Sequence, residues 1–495
     1  MATASPSYEL SAMDNVLPRY FHGGIWALRL RDGVTQDQVI SMLRSSLASA
    51  SLALPFLTRR AFSIPPTPEN LVTGRLEARE HVDWKPVVDY NDLSNNPEWP
   101  DYDELMEDGL PQDLLDGAVL LPSSRFGFDL ETGGTPLLVA QANFIRGGLL
   151  LGVSLYHGLM DGMSMALIFR TWAQHMRLQQ GEETGSAEMT TTPLGQECFD
   201  YNTLIDLWKK AGSPVAEATP DEWRMLGLLP PQEPGGGELR LPGSGSGDGD
   251  DAPAPPPAMS TGIFYVSASA IARLSAIAAN EPGATANDAL MALLWRCTIR
   301  ARRAAAPKKP CYGPGAITEM DTTINGRAML GDLLPWQYLG TLVFFTTTKL
   351  TVGELVGPAT PLVSIIRAVR SAVASVTRER ILAGYGLAAT RLPDFGAETL
   401  RRPMPTFEGA EFGVTSLLSL PILDWSFGSA LFANGGIPDY MRQERRLFDM
   451  VCRYCSVGPL RREGGTEVLV SLTVEEMEFL EADDEFAQFA ELLCH

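Results

Sequence analysis

Leu149–Met176 reads LLLGVSLYHGLMDGMSMALIFRTWAQHM, and it holds a strand, a turn and a helix in one stretch. Leu149 to Tyr156 is almost wholly apolar, the pattern of a strand buried on both faces. Gly158 and Gly162 punctuate a turn. From Asp161-Gly162 onward, Met165, Ile168, Phe169, Trp172 and Met176 recur at helical spacing. The chain has only five histidines, and His157 stands where the apolar strand meets the turn. A neutral imidazole there can take a proton from a hydroxyl or amine and return it. The residues alone leave two readings open. One is a general base at the rim of a core. The other is a satisfied core histidine, with Asp161 serving only as N-cap of the next helix.

Outward from this stretch, Pro136 to Ile145 reads as the preceding strand, joined through Arg146-Gly147-Gly148. Gly24 to Leu30 is strand-like, and Thr35 caps a helix running to about Ala50, with Val39, Ile40, Leu43 and Leu47 on one face. Asn70 to Glu80 reads as strand, and Asp89 to Asp116 as acidic loop with a short helix. From Gly181 the composition turns rich in Gly, Pro and Ser. Gly235-Gly236-Gly237, Gly243 to Asp251 (GSGSGDGDD) and Pro253 to Pro257 can bury little; a helix is expected within Asp206 to Leu228. Order restarts at Ile263 to Val266, with helices Ala268–Ala279 and Thr285–Arg303 after it. Strands Ile317–Ile324 and Leu342–Leu350, helix Pro361–Val376 and strands Val414–Ile422, Cys452–Ser456 and Glu467–Leu472 come next. A final helix begins at the Thr473-to-Glu476 capping box, with Met477, Leu480, Phe486, Phe489 and Leu492 inward. Strands and helices mix in both halves. The expectation is α/β: two mixed-sheet domains, 1–180 and 261–495, joined by a crossover at 181–260.

The 495 residues carry a net charge of −21 and 45% hydrophobic residues. That acidity argues against nucleic acid or an anionic membrane as partner. No apolar run reaches transmembrane length and no secretory signal is seen, so a cytoplasmic monomer is expected. Six scattered cysteines argue against a disulfide framework. Cys452 and Cys455 form a C-x-x-C pair, but no second pair stands at zinc spacing, and no metal is expected.

Further segments carry a resemblance. His157 to Gly162 resembles the HxxxDG motif of the BAHD acyltransferases. Leu10-Ser11-x-x-Asp14 with Pro18-Arg19-Tyr20 resembles their N-terminal opening, especially in the fungal branch with its trichothecene 3-O-acetyltransferase-like enzymes. Thr285 to Leu290, with Trp295-Arg296 and Ala301-Arg302, resembles the helix opening their second domain. Asn325-Gly326-Arg327 and Tyr338-Leu339-Gly340 look like their NxR and YFGN segments. Thr415 to Gly428 is similar to the stretch leading into DFGWG. Gly464-Gly465, with a strand and an acidic helix after it, resembles the family's C-terminal end.

The resemblance implies the chloramphenicol acetyltransferase-like fold of CoA-dependent acyltransferases, two similar domains with a channel at their interface. It implies acyl-CoA, here acetyl-CoA, as cosubstrate with no permanently bound cofactor, and a small-molecule alcohol as acceptor. His157 takes the role of general base, and Asp161 is carried over beside it as a mostly structural partner of Arg327. Thr415 falls on a threonine near the oxyanion. The family's tryptophan two residues on is Leu417 here, the aspartate of DFGWG is Ser426 before Phe427-Gly428, its second glycine is Ala430, and YFGN ends in Thr341. The residues themselves offer two readings of the basic cluster Arg296 to Lys309: a solvated helix face by default, or a contact of Arg302 and Arg303 to the CoA phosphate. Two other readings stand beside acyl transfer from CoA. Condensation-type catalysis would take acyl groups from a carrier protein, but its usual second histidine is Tyr156 here. A non-catalytic binding protein is kept open by Ser426.

Overall fold

The computed structural model describes residues 10–65, 75–81, 85–122, 129–182, 198, 200, 202–231, 257–394, 402–403, 405, 407–420, 422–443 and 453–495. In chain order its strands are β1 Phe21–Arg29, β2 Arg59–Ile64, β3 Arg75–Glu80, β4 Val88–Asp92, β5 Thr135–Pro136, β6 Leu138–Ile145, β7 Gly148–Tyr156, β8 Met259–Val266, β9 Ile317–Asn325, β10 Val343–Thr351, β11 Phe412–Ser416, β12 Tyr440–Gln443, β13 Tyr454–Val457, β14 Thr466–Thr473 and β15 Glu491–Cys494. They form a first mixed sheet β12-β1-β7-β6-β4, a second mixed sheet β10-β9-β11-β13-β14-β8-β15, and a small antiparallel sheet β3-β2-β5.

β7 lies between β1 and β6, antiparallel to both, and every residue in it is buried. That is why it reads as a continuous apolar run rather than an alternating one. Gly152 is required within it: a Cβ there would stand 2.1 Å from the Leu120 carbonyl oxygen. The helix Gly162–Gln179 comes at once after the turn and lays Met165, Phe169, Trp172 and Met176 against this sheet. Trp26 of β1 stacks on Phe169, with ring centroids 3.9 Å apart. Helix Gln36–Ala53 packs alongside, and the Trp172 indole donates to Ser46 Oγ at 3.0 Å. In the second half, helix Ala286–Ala305 is capped by Thr285 and supplies the centre of a separate core against one face of the larger sheet.

The structure departs from the sequence expectation in four places. First, β12 belongs to the second half of the chain yet pairs with β1 of the first sheet, Gly24 opposite Gln443 and Trp26 opposite Met441. Ile422, Phe427, Leu431 and Phe432 join the first core with it. The two bodies therefore exchange a segment, which contiguous boundaries at 180 and 260 do not capture. Second, the crossover carries two helices, Asn202–Lys210 and Pro220–Met225, instead of one, because Gly212 and Ser213 both adopt positive φ and Pro214 comes directly after them. Third, β11 stops at Ser416, where the Ser416 hydroxyl accepts from Leu418 N and the chain turns. Fourth, the last helix ends at Glu481; Asp483 turns the chain, and Leu492 lies on the edge strand β15, 36% exposed. The low-complexity run 243–251 and Cys452 fall outside the described residues. Cys455 is buried in the second core, where burial pushes its thiol up to about 12. Among the described residues no helix is long and apolar enough to cross a membrane, and no three His, Cys, Asp or Glu side chains gather as a metal site.

Candidate active site

His157 begins a single 3-10 turn, His157–Leu159, directly after β7. Its backbone N–H donates to Tyr20 O at 2.8 Å, which extends the β1–β7 ladder by one pair. Tyr20 and His157 thus stand opposite each other, and strand parity puts His22 on the same face. The Tyr20 ring meets His157 edge-on at 5.2 Å and the His22 ring does so at 5.9 Å. His157 Nδ1 lies 2.7 Å from Met160 O. A carbonyl only accepts, so this contact assigns the proton to Nδ1 and leaves the lone pair on Nε2. Desolvation lowers the His157 pKa, against the raising influence of the Met160 carbonyl and the Asp161 charge. The resting ring is a neutral base with a fixed tautomer. His22 is likewise held neutral, its pKa lowered to about 3 by burial and by His157.

Asp161 is not part of that relay. It caps the helix Gly162–Gln179, its Oδ1 accepting from Ser164 N and Ser164 Oγ, each at 2.9 Å. Its Oδ2 accepts from Arg327 Nη1 at 2.8 Å and Leu342 N at 2.9 Å. Burial works against its charge, but Arg327 and these hydrogen bonds outweigh that and hold the carboxyl below its ordinary range. Arg327 in turn donates to Tyr338 O and Gly340 O at 2.8 and 2.7 Å. Asp14 completes the clamp: its Oδ1 accepts from Thr341 N at 2.9 Å and its Oδ2 from Ser11 N at 2.8 Å. Two carboxylates from the first half therefore hold consecutive backbone N–H groups, Thr341 and Leu342, of the second.

On the opposite side, Thr415 pairs with Ser456, Ser456 with Leu469, and Leu469 with Ile263. This row lies on the face of the second sheet away from its helix-covered core. The neighbouring row, Val414 and Cys455, faces that core. Thr415 is half-buried, and its hydroxyl has no hydrogen-bond partner among the described residues. Just beyond it the chain reaches the His157 turn: a Cβ on Gly162 would stand 3.5 Å from Leu420 and 3.8 Å from Leu417. A cleft lined by Leu417, Leu423, Met441, Gln443, Ser456 and Leu469 separates β12 from the row. Gln443 links this cleft to the histidines. Its Nε2 lies 3.5 Å from His22 Nε2, and its buried Oε1 has no partner among the described residues.

Ser426 and Gly428 belong to a different part of the molecule. The Ser426 hydroxyl donates to Gly435 O and accepts from Gly428 N. Gly428 has φ +97°, and Gln180, just past the end of helix Gly162–Gln179, grips this loop, donating to Phe427 O at 2.6 Å and accepting from Ala430 N at 3.0 Å. Phe427 sits edge-on against Trp172. The loop braces the far end of the helix, and the Ser426 hydroxyl closes its turn.

The basic cluster does not gather for a phosphate. Arg302 is fully buried; its guanidinium donates to Tyr312 Oη, Glu411 O and Gly409 O. Arg296 and Arg300 pair with Glu485, and Arg300 also with Asp483. Arg303 remains exposed. The expected CoA contact at Arg302 is corrected to a structural role, since every face of its guanidinium is committed inside the second body. Arg302→Ala should lower the thermal midpoint, because each hydrogen bond from its buried, charged guanidinium is worth about 1.5–3 kcal/mol. A raised acyl-CoA KM with an unchanged melt would contradict this.

His22 and Gln443 carry no signal of a site in the sequence. The Tyr20–His22 parity is legible there, but placing the pair at His157 needs the β1–β7 register, and Gln443 needs the strand exchange.

A half-buried neutral histidine with a fixed tautomer thus stands at the junction of two mixed α/β bodies, free at Nε2 to take a proton. Residues 247–487 match the Transferase family, and residues 25–175 match the trichothecene 3-O-acetyltransferase-like N-terminal domain. The fold resembles Fusarium graminearum TRI101 complexed with coenzyme A and T-2 mycotoxin, with TM-score 0.75 and 20% identity over 99% of this chain and 100% of that one. The chain is 26% identical to eremophilane O-acetyltransferase ORF8 of Penicillium roqueforti over 97% of its own length and 98% of that protein. It is 24% identical to the isocyanide synthase-NRPS hybrid crmA of Aspergillus fumigatus over 99% of this chain, but spans only 31% of that protein. The chain belongs to the BAHD acyltransferase superfamily, in its fungal branch.

Proposed function

We propose that the protein transfers an acyl group, acetyl in the first instance, from acyl-CoA to a hydroxyl of a small fungal secondary metabolite, with His157 as general base. The observation that carries this is the His157 ring itself: Nδ1–H is held by Met160 O and Nε2 keeps its lone pair. Nε2 takes the acceptor's proton as its oxygen attacks the thioester carbonyl, and the imidazolium returns that proton to the departing thiolate. The Thr415 hydroxyl, with no partner among the described residues, supports a donor role toward the oxyanion. Asp161 and Arg327 keep the two bodies in register around that geometry. The cleft at Gln443 supports an acceptor pocket. Arg303, exposed, is the remaining candidate from the basic cluster for a CoA phosphate.

Incubation with acetyl-CoA and candidate alcohols, with mass spectrometry of the acceptor and titration of released thiol, tests the reading. A pH series sharpens it. A base whose pKa is lowered stays unprotonated to lower pH, so kcat/KM should hold its plateau through about pH 6.5, the ordinary histidine value. Its acid limb should fall below that value; a limb above it contradicts the desolvated-base geometry.

A further inference from the structure

The cleft between β12 and the second sheet has apolar walls at Leu417, Leu423, Met441 and Leu469. The charges that line it, Arg442, Arg461 and Glu467, are joined in ion pairs. Two neutral polar side chains break this pattern. Gln443, 8% exposed, comes from β12 of the first sheet. Its amide Nε2 faces His22, whose ring is held neutral, and its carbonyl Oε1 is buried with no partner among the described residues. Ser456, 5% exposed, comes from β13 of the second sheet, and its hydroxyl has no partner among the described residues. A buried carbonyl left unpaired is costly, so an orphan lining a cleft marks where a ligand supplies the missing donor. Both groups stand one step from the reacting ones. The His22 ring separates Gln443 from His157, and one strand spacing of about 4.8 Å separates Ser456 from Thr415. A carbonyl and a hydroxyl placed this way suit a second hydroxyl, which donates to the first while it accepts from the other.

We infer that Gln443 and Ser456 form a subsite for a second hydroxyl of the acceptor, which is therefore a diol whose two oxygens lie across a ring rather than on neighbouring carbons. The inference rests on the acyl-transfer reading, and the experiment separates the two. The probes are trans-1,4-cyclohexanediol and trans-4-fluorocyclohexanol. They share a ring and a reacting hydroxyl, and the fluorine fills nearly the volume of the second hydroxyl but donates no hydrogen bond. Per hydroxyl, acetyl transfer to the diol should exceed transfer to the fluoro alcohol by about ten- to a hundredfold in kcat/KM. Gln443→Met removes the amide at similar length and should bring that ratio near one. If the methionine variant misfolds, Ser456→Ala should lower the ratio from the other body. A Gln443 that only braced the fold would slow both substrates alike and leave the ratio intact. Saturation-transfer NMR on His157→Ala should show the diol bound in preference to the fluoro alcohol without turnover. That preference with no transfer by the wild type would support the subsite and defeat the acyl-transfer reading. Equal binding of the two probes, no binding of either, or a ratio unmoved in Gln443→Met would overturn the subsite.

Discussion

His157→Ala should reduce acyl transfer about 10²–10⁴-fold while the protein melts within a few degrees of wild type. The expectation comes from what the side chain touches. Nδ1 makes one hydrogen bond, to Met160 O three residues away, and the ring stacks edge-on with Tyr20 and His22. None of these contacts joins the two bodies; that work falls to Asp161, Arg327 and Asp14. Losing one hydrogen bond typically changes stability by about 1 kcal/mol, small beside the loss of the base positioned at the turn. The core-histidine reading left open by the sequence predicts the reverse: a large drop in melting temperature with thiol release preserved. Measuring released CoA thiol and a thermal melt on one preparation decides between them. A residual rate within tenfold of wild type would remove His157 from the chemistry.

The His157 stretch was legible because three signals coincide in it: a continuous apolar run, a glycine-bounded turn and a helical repeat. Helix Ala286–Ala305 was legible for the same reason, with its cap at Thr285. What stayed hidden depends on pairing between distant segments. Nothing in Tyr440–Gln443 says that it leaves the second body to pair with β1, so Gln443 carried no signal of a site. The basic cluster misled because spacing on a helix shows which residues cluster, not which are buried. Arg302 points into the second body and Arg303 out of it, one position apart. Ser426 raised doubt as a lost aspartate, yet the loop it sits in is held by Gln180 and by a hydroxyl turn, chemistry that a motif comparison does not register.

Arg327→Met should destabilise the protein by about 3–5 kcal/mol, the largest effect on stability expected here. The Asp161–Arg327 pair is almost entirely buried, at 0% and 5% exposure, so removing the cation strands a carboxylate where water cannot replace it. Leu342 N, Ser164 N and Ser164 Oγ still donate to that carboxylate, which limits the loss but does not neutralise the charge. The Asp161 pKa should then rise, since Arg327 is the largest influence holding it down. In the wild type the lowered Asp161 pKa contributes stability above the unfolded value near 4, and that contribution fades as pH falls below it. In Arg327→Met the raised pKa favours the protonated folded state, so the variant should regain stability as pH falls, the reverse of the wild-type trend. Denaturant unfolding of both proteins from about pH 3 to pH 8, which spans the unfolded carboxyl value, reads this directly. A parallel pH dependence would mean that the pair is not what holds Asp161 charged. The double variant Asp161→Asn/Arg327→Met removes both charges and should recover much of the lost stability. It should leave acyl transfer impaired, because Tyr338 O and Gly340 O lose their donor and the second body loses its hold on the His157 turn. Recovery of stability without recovery of rate would separate what this pair does for folding from what it does for alignment.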